Sequence, residues 1–408
     1  MVDKATHSPA DSAAIRAHNR SQIVRLVWEA KSMSRAEVAR HFNLSRSTVS
    51  AIVAELINLR LVKDTGRGVS TGGRRPLMVT FQDDAYAIIG VDLGATHVGA
   101  ALVNLRGVTQ GWRHTTHPVP TDPEGTLALI NTLCADLLRD AELPPSRLAG
   151  IGVALPSPVD ARLPGEMSPL YFPAWQGHSV IDALKGTYSA PIFVDNDANL
   201  GALAEHWWGA GRGKGDLTYV KLGTGIGSGH LFGGRIYRGA TGVAGEIGHV
   251  SIDRSGPRCI CGLRGCLATY VGAEALCVQA VESGLMTDSQ GLGDLIDLAL
   301  AGSKDAQRII GEAAERLGLA LASVINLLNP DRVVLGGALC RAEDYVMGPL
   351  RRTLKERVPP TSRAEATIEV SALGEHANAL GAATLVLEHI MSEQGELPLN
   401  TVDAGVTT

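Results

Sequence analysis

The chain has 408 residues, of which 45% are hydrophobic and 19% are charged. This length predicts two to three domains, and the composition excludes a disordered polymer. No run of about 18 apolar residues is present, which excludes a membrane-spanning helix. Residues 1–14 lack the apolar segment of a secretory signal. Six cysteines are too few for a disulfide scaffold in so long a chain, so we expect a reducing, cytoplasmic location.

The net charge of -5 is distributed unevenly along the chain. Residues 1–80 carry 13 Lys and Arg against 6 Asp and Glu, a net charge of +7, whereas the remainder carries 24 against 36, a net charge of -12. A basic head on an acidic body predicts that the head binds a polyanion. Nucleic acid is the first candidate, because the head shows no Lys-rich amphipathic helix suited to a membrane surface.

The order of elements within residues 16–80 predicts a winged helix-turn-helix, which is an α+β DNA-binding domain. A first helix is expected over 16–30, and a second begins at the capping box of Ser34 and Glu37. A third helix follows Ser45 and carries apolar residues at helical spacing. Residues 61–79 then predict a β-hairpin with a basic tip, the wing of the domain.

The outer face of the third helix and the hairpin supply the candidate DNA contacts. Arginine suits the edge of a guanine base, and hydroxyl groups suit phosphates or bases. The candidates are Arg46, Ser47, Thr48 and Ser50 on the helix, and Arg67, Arg74 and Arg75 on the hairpin. The alternative is that these polar side chains only keep the domain soluble.

From residue 85 to 392 the pattern changes to alternating strands and helices, which predicts an α/β body. Residues 1–15 are expected to form a flexible N-terminus and residues 393–408 a loose polar tail. The body has two similar halves, each opening with strand–turn–strand. These strand pairs are expected at 88–91 with 98–103 and at 217–222 with 230–237, and long helices at 267–283, 304–328 and 343–358.

Two turns rich in Gly and Thr join these strand pairs, and a Gly pair follows a later strand. Backbone N–H groups and hydroxyls in such turns can cradle phosphate. The candidate nucleotide-binding residues are Asp92, Gly94, Thr96, Gly223, Thr224, Gly225, Gly336 and Gly337. The two loops resemble those with which the actin and sugar-kinase fold grips ATP. The alternative is that the glycines only make tight hairpins.

Two further motifs indicate a binding site and a metal. Asp197 follows a predicted strand, where it could accept a proton from a sugar hydroxyl while Asn196 orients the sugar; a helix cap is the alternative. His249 is followed at intervals of ten, two and five residues by Cys259, Cys261 and Cys266. Three thiolates and one imidazole complete the tetrahedron of a structural zinc. The alternative is three free buried cysteines and an unrelated histidine.

Together these motifs resemble the ROK family (repressors, open reading frames and sugar kinases), in its regulator form with an N-terminal winged helix. The resemblance covers residues 16–391 and rests on Thr71-Gly72-Gly73-Arg74-Arg75-Pro76, Asp92-x-Gly-x-Thr96, Asn196-Asp197, Leu222-Gly-Thr-Gly-Ile-Gly, Glu246-Ile-Gly-His249 and Cys259-x-Cys-Gly-x-x-Gly-Cys266. It implies a two-lobed, actin-like body of the sugar-kinase fold, a zinc site, and a sugar site formed by Asn196, Asp197, Glu246 and His249. In the kinases of the family, the aspartate matching Asp197 is the general base, and the residue matching His249 binds zinc and also lies against the sugar.

The sequence also departs from the family pattern at two places. Ala268 stands where the family usually has a glutamate that holds a sugar hydroxyl, and the first phosphate loop has Ala95 and His97 in place of Gly and Lys. The first change predicts weaker binding or a different effector. The second removes a positive charge beside bound phosphates.

We therefore expect a sequence-specific DNA-binding transcriptional regulator, of the repressor type, that is controlled by a sugar or sugar-derivative effector and is not an enzyme. A homodimer or homotetramer would present paired heads to a pseudo-palindromic site in double-stranded DNA. The alternative from another class is an active ATP- and Mg²⁺-dependent sugar kinase with a DNA-binding head. A third possibility is a regulator that responds to a partner protein or to a phosphorylated sugar.

Overall fold

A computed structural model describes residues 9–67, 77–160, 162–361 and 366–393. A small head of helices and short strands leads into a two-lobed α/β body, and each lobe contains a five-stranded sheet. The predicted fold class is thereby confirmed. Among the described helices, none is both long and apolar enough to cross a bilayer.

The head is a winged helix-turn-helix. Its elements are α1 (Pro9–Ala30), β1 (Ser32–Ser34), α2 (Arg35–His41), α3 (Arg46–Asn58), β2 (Val62–Arg67) and β3 (Leu77–Phe81). Ser34 and Glu37 form the predicted capping box at α2, and the Ser45 side chain caps α3. The strands pair antiparallel in the order β1-β3-β2. Helix α1 begins at Pro9, seven residues before the predicted start at residue 16.

The first lobe is built on a sheet of order β6-β5-β4-β7-β8. Its elements are β4 (Ala87–Leu93), β5 (His97–Asn104), β6 (Thr109–Thr116), α4 (Pro123–Asp140), β7 (Leu148–Leu155), α5 (Val180–Lys185) and β8 (Ile192–Asn196). Strands β4 and β7 are parallel and buried along their whole length. Such continuous apolar runs are typical of strands with both faces covered.

The second lobe repeats this plan with a sheet of order β11-β10-β9-β12-β13. Its strands are β9 (Leu217–Leu222), β10 (Ile226–Phe232), β11 (Arg235–Ile236), β12 (Arg332–Gly336) and β13 (Thr367–Val370). Its helices are α7 (Ala268–Val271), α8 (Ala273–Glu282), α9 (Leu292–Leu300), α10 (Lys304–Leu328) and α11 (Glu343–Arg357). The single helix predicted over 267–283 is interrupted at Gly272, and β10 begins at Ile226 instead of residue 230.

Two helices, α6 (Asp197–Trp208) and α12 (Ala377–Ile390), lie between the sheets. Glycines of two neighbouring elements, α12 on one side and β10 on the other, lie very close to the backbone of α6. A Cβ atom at Gly381 of α12 would lie 1.9 Å from the Leu200 carbonyl oxygen, and one at Gly229 of β10 would lie 2.2 Å from the Ala198 carbonyl oxygen. Only glycine permits these approaches. Helix α6 is therefore packed closely against elements of both lobes.

The head and the body have one hydrophobic core in common. Residues of the three head helices pack in the same buried cluster as residues of the first sheet and α12. Its members include Ile23, Val27, Val38, Val49 and Ile52 from the head, and Tyr86, Ile88, Val103, Ala379 and Leu387 from the body. The junction is therefore a packed interface rather than a loose linker.

Candidate functional site

The segment 195–197 lies at the end of β8 and the start of α6, in the region between the two lobes, which we call the cleft. Asn196 caps α6: its Oδ1 accepts hydrogen bonds from two backbone N–H groups of the first turn, at 3.0 and 3.3 Å. Its Nδ2 donates to the Ser157 carbonyl oxygen at 3.2 Å. The capping role considered for this segment thus falls to Asn196, and the Asp197 carboxylate has a different partner.

That partner is Lys221 of β9, which was not among the site residues predicted from the sequence. Its Nζ donates to the Asp197 carboxylate, and both side chains are largely buried. Burial alone would lower the pKa of Lys221, but the charges of Asp197 and Asp92 outweigh it and raise that pKa, so Lys221 is a cation at neutral pH. Burial raises the pKa of Asp197, and Lys221 opposes this shift.

A second ion pair links the same segment to the other lobe. Arg238, just after β11, donates from Nε and Nη2 to the buried Asp195 carboxylate, at 2.8 and 2.6 Å. Two cations from the second lobe therefore bind the two carboxylates that flank Asn196. Both pairs cross the cleft.

Glu246, His249 and Tyr171 line the cleft beside Asp197. Burial, with a smaller contribution from Asp197, raises the pKa of Glu246 to about 7. The His249 Nε2 atom lies 3.7 Å from Glu246 Oε2, and its ring stacks on Tyr171 with centroids 5.5 Å apart. Burial lowers the pKa of His249, which favours the neutral imidazole. Tyr171 was not among the site residues predicted from the sequence.

The predicted metal-binding residues come together on the other side of the same imidazole. One donor atom from each of His249, Cys259, Cys261 and Cys266 lies within 4.8 Å of the others. The Cys261 and Cys266 sulfurs are 3.6 Å apart, and Cys259 Sγ lies 3.5 Å from His249 Nδ1. Tetrahedral zinc with ordinary bond lengths would place two sulfurs about 3.8 Å apart and a sulfur and a nitrogen about 3.5 Å apart. The donor set therefore fits a metal, with Nε2 of His249 left facing Glu246.

The first phosphate loop is occupied by side chains of the chain itself. The His97 imidazole covers Gly94, where a Cβ atom would lie 2.1 Å from the ring, and His97 Nε2 lies 3.3 Å from Asp92 Oδ2. Asn378 Nδ2 also donates to Asp92, at 3.3 Å. The Asp92 carboxylate is thus engaged, whereas Thr96 is exposed.

The second loop and the Gly pair lie against each other. A Cβ atom at Gly337, whose φ is 96°, would lie 2.4 Å from the Leu222 carbonyl oxygen. Gly223 N–H donates to the Gly225 carbonyl oxygen at 3.2 Å, and Thr224 is exposed at the tip. These loops could still contact a nucleotide. Ala268 begins α7, where its methyl group cannot hold a sugar hydroxyl.

On the head, α3 presents part of the predicted DNA-binding face. Arg46, Ser47 and Ser50 are exposed, whereas Thr48 is half-buried and its hydroxyl bonds to the Ser45 cap at 2.8 Å. Arg67 ends β2. Arg74 and Arg75, with the rest of the motif at 71–76, lie outside the described residues.

A tryptophan cluster joins the head to the end of α6. The ring of Trp28 from α1 lies 5.4 Å from that of Trp207 and 6.1 Å from that of Trp208. Trp28 Nε1 donates to the Leu105 carbonyl oxygen at 2.8 Å, and the Arg106 guanidinium lies 4.5 Å from the Trp28 ring centroid. Helix α6 therefore begins at the cleft and ends on the head.

Comparison with protein families gives two matches that divide the chain as the fold does. The model of the ROK family matches residues 88–389, and that of the CENP-B N-terminal DNA-binding domain matches residues 18–60. The second match covers the second half of α1 and all of α2 and α3.

Individual proteins extend the similarity to nearly the whole chain. The xylose repressor of Bacillus spizizenii is 30% identical over 94% of this chain and 98% of its own length. A crystal structure of a ROK family transcriptional regulator, a homologue of the Escherichia coli MLC protein, is 24% identical and has a TM-score of 0.79 over 93% of this chain and 98% of its own. A ROK family glucokinase from Streptomyces griseus, solved with glucose and AMPPNP, is 27% identical and has a TM-score of 0.65 over 73% of this chain and 98% of its own.

Proposed function

This chain belongs to the ROK family, and from that premise we propose that it is a sequence-specific DNA-binding transcriptional repressor controlled by a sugar or sugar derivative. The xylose repressor matches over head and body alike, which favours the regulator hypothesis over the kinase hypothesis. Its name also makes D-xylose the first effector to test.

The observation that carries the proposal is the path of α6. Its first turn holds Asn196 and Asp197 in the cleft, and its last turn places Trp207 and Trp208 on Trp28 of the head. A ligand that changes the position of α6 would change the contact with the DNA-binding domain. Such a change couples effector binding to DNA affinity because the two conformations differ in both contacts.

The site has the chemistry to bind a sugar. Asn196, Asp197 and Glu246 offer amide and carboxyl groups, and His249 Nε2 faces the same space. Tyr171 stacks on His249 and would add an apolar surface for a sugar ring. We assign the four-residue cluster of His249, Cys259, Cys261 and Cys266 to structural zinc, which would fix the position of the His249 ring.

A repressor that binds operator DNA is expected to be an oligomer and to act in the cytoplasm. Two heads of a homodimer, or of a dimer within a homotetramer, would bind the half-sites of a pseudo-palindromic operator. The site of action is then the cytoplasm, as for a repressor that must reach its operator DNA. Size-exclusion chromatography with light scattering, alone and with operator DNA, tests the assembly.

The DNA prediction can be tested in the full-length chain. We expect Arg46→Ala to weaken operator binding by about 1–3 kcal/mol, which is the contribution of a good base contact. Fluorescence anisotropy with operator and scrambled DNA measures this. The control is Arg254→Ala, an exposed arginine of the body. Unchanged discrimination between the two DNAs in Arg46→Ala would contradict the assignment of α3 as the recognition helix.

The glycine loops and the similarity to a glucokinase make a sugar kinase the second candidate. We expect no ATP-dependent phosphorylation, because Lys221 pairs with the Asp197 carboxylate and His97 covers the first phosphate loop. A coupled assay of ADP release across hexoses, N-acetylhexosamines and pentoses measures turnover. A rate near 1 per second, the ordinary enzyme range, that disappears in Asp197→Asn would establish the kinase instead.

A further inference from the structure

Lys221 is a charged residue in a strand whose other residues are buried. We propose that Lys221 is a built-in cation, whose ammonium group neutralises the Asp197 carboxylate so that the site binds an uncharged sugar without a nucleotide or a divalent metal. The proposal rests on the proposed function for its ligand class. It concerns a positioning residue that holds Asp197 as a fixed hydrogen-bond acceptor.

The strand geometry gives the lysine room in the cleft. Lys221 lies opposite Gly227 on β10 and opposite Gly336 on β12, so neither neighbouring strand places a side chain beside it. A Cβ atom at Gly223 would lie 3.6 Å from Lys221 Cε, so the stem runs along the second glycine loop. The ammonium group thus lies between that loop and the first turn of α6.

The charges around Lys221 show what it compensates. Asp197 is 5% exposed and accepts its hydrogen bond, and Asp92 of β4, which is 3% exposed, adds a second negative charge. Glu246 is a third carboxyl group at this site, and the charge of Asp197 contributes to its raised pKa. Buried carboxylates without a counter-charge are strongly unfavourable. A cation is required here, and Lys221 supplies it as part of the chain.

The balance between positive and negative charges in the cleft also determines which class of effector can bind. Lys221 is matched by Asp197, so it has no surplus charge to offer a phosphate or a carboxylate. Arg238 is likewise paired with Asp195, and the His97 ring faces Asp92. An anionic effector would add negative charge beside Asp92 and Asp197, which is unfavourable at a partly buried site. The cleft therefore selects neutral sugars over sugar phosphates.

The test uses full-length wild-type protein, Lys221→Met, Lys221→Arg and the exposed control Lys185→Met. Thermal unfolding is followed in MgCl₂ and in NaCl of equal ionic strength. We expect Lys221→Met to lose several degrees of melting temperature and to regain them in Mg²⁺ alone, because Mg²⁺ binds through one or two carboxylates. Wild type, Lys221→Arg and Lys185→Met should not respond to Mg²⁺.

The test has two arms, and thermal unfolding is the first. The second arm is calorimetry with D-xylose and with glucose 6-phosphate. We expect wild type to bind the neutral sugar without ATP or Mg²⁺, and Lys221→Met to bind it about tenfold more weakly until Mg²⁺ is added. Tighter binding of the sugar phosphate overturns the proposal. If wild type binds neither of these sugars nor any of the hexoses, N-acetylhexosamines and pentoses named above, the proposed function fails, while the thermal arm still tests Lys221.

Each outcome of the thermal arm decides the question. A Lys221→Met protein as stable as wild type, or a loss of stability that Mg²⁺ does not reverse, overturns the proposal. If Lys221→Met does not fold, the double variant Lys221→Met/Asp197→Asn decides, because it removes both charges together. Folding of the double variant supports the built-in cation, and its failure to fold shows that Lys221 acts through packing and overturns the proposal.

Discussion

Cys266→Ser is expected to remove the bound metal and to lower the free energy of unfolding by about 4–5 kcal/mol, a size typical of losing a structural metal. Cys266 is fully buried, and its sulfur lies 3.6 Å from that of Cys261. The loop that carries it has little apolar support of its own, since Ile260 and Leu263 are exposed. Metal content is measured by elemental analysis and stability by chemical denaturation.

The same substitution should also weaken sugar binding, because His249 is common to the metal site and the sugar site. The imidazole would lose the metal on Nδ1, and Nε2 would no longer be held toward Glu246. We therefore expect sugar binding to be lost together with zinc. Cys277→Ser is the matched control, because this half-buried cysteine lies on α8 outside the cluster and should leave the metal in place. Freshly purified wild-type protein without stoichiometric metal would contradict the zinc assignment.

Trp28→Ala is expected to abolish the effect of sugar on DNA affinity while leaving DNA binding by the free protein in place. The ring contacts Trp207, Trp208 and Arg106, so its loss opens the junction between α1 and α6. Because Trp28 is half-buried, we expect a stability loss of about 2–3 kcal/mol, below that of a fully buried aromatic residue. Coupling between two sites is typically worth 5- to 150-fold in affinity, and we expect less than about twofold in the variant.

Operator titrations with and without the effector sugar measure this coupling. Trp175→Phe is the control, because Trp175 is buried in the first lobe and donates to the Val119 carbonyl oxygen, away from the head. It should change stability without changing the effect of sugar. If sugar changes the DNA affinity of Trp28→Ala as much as it changes that of wild type, the contact between Trp28 and α6 does not couple the two sites.

Local patterns were enough to predict the elements with strong sequence signals. Helix α10 was predicted at its observed bounds, because its amphipathic pattern is long and Ser303 caps its start. Strand β6 was missed because it is a polar edge strand, with most of its residues exposed or half-exposed. The start of β10 was misplaced because its glycines indicate a turn, although they lie in a strand against α6.

Individual motifs of the candidate site could be predicted from the sequence, but the contacts between the two lobes could not. The spacing of the cysteines and His249 indicated a metal site because those residues are close in the sequence and coordinate one centre. The pairing of Lys221 with Asp197 depends on two lobes meeting, and no local pattern encodes it. A lysine within the buried strand Leu217–Leu222 was nevertheless a signal, since buried lysines are rare without a partner.

The hydrophobic core common to head and body limits how this protein can change over evolution. A head transplanted from another regulator would bring a different residue opposite Trp207 and Trp208, and would leave Tyr86 and Leu387 without their packing partners. New operator specificity is therefore easier to acquire by substitution on the exposed face of α3, which lies outside that core, than by exchange of whole domains. The two halves should be inherited as one unit, with changes at residue 28 accompanied by changes at 207 and 208.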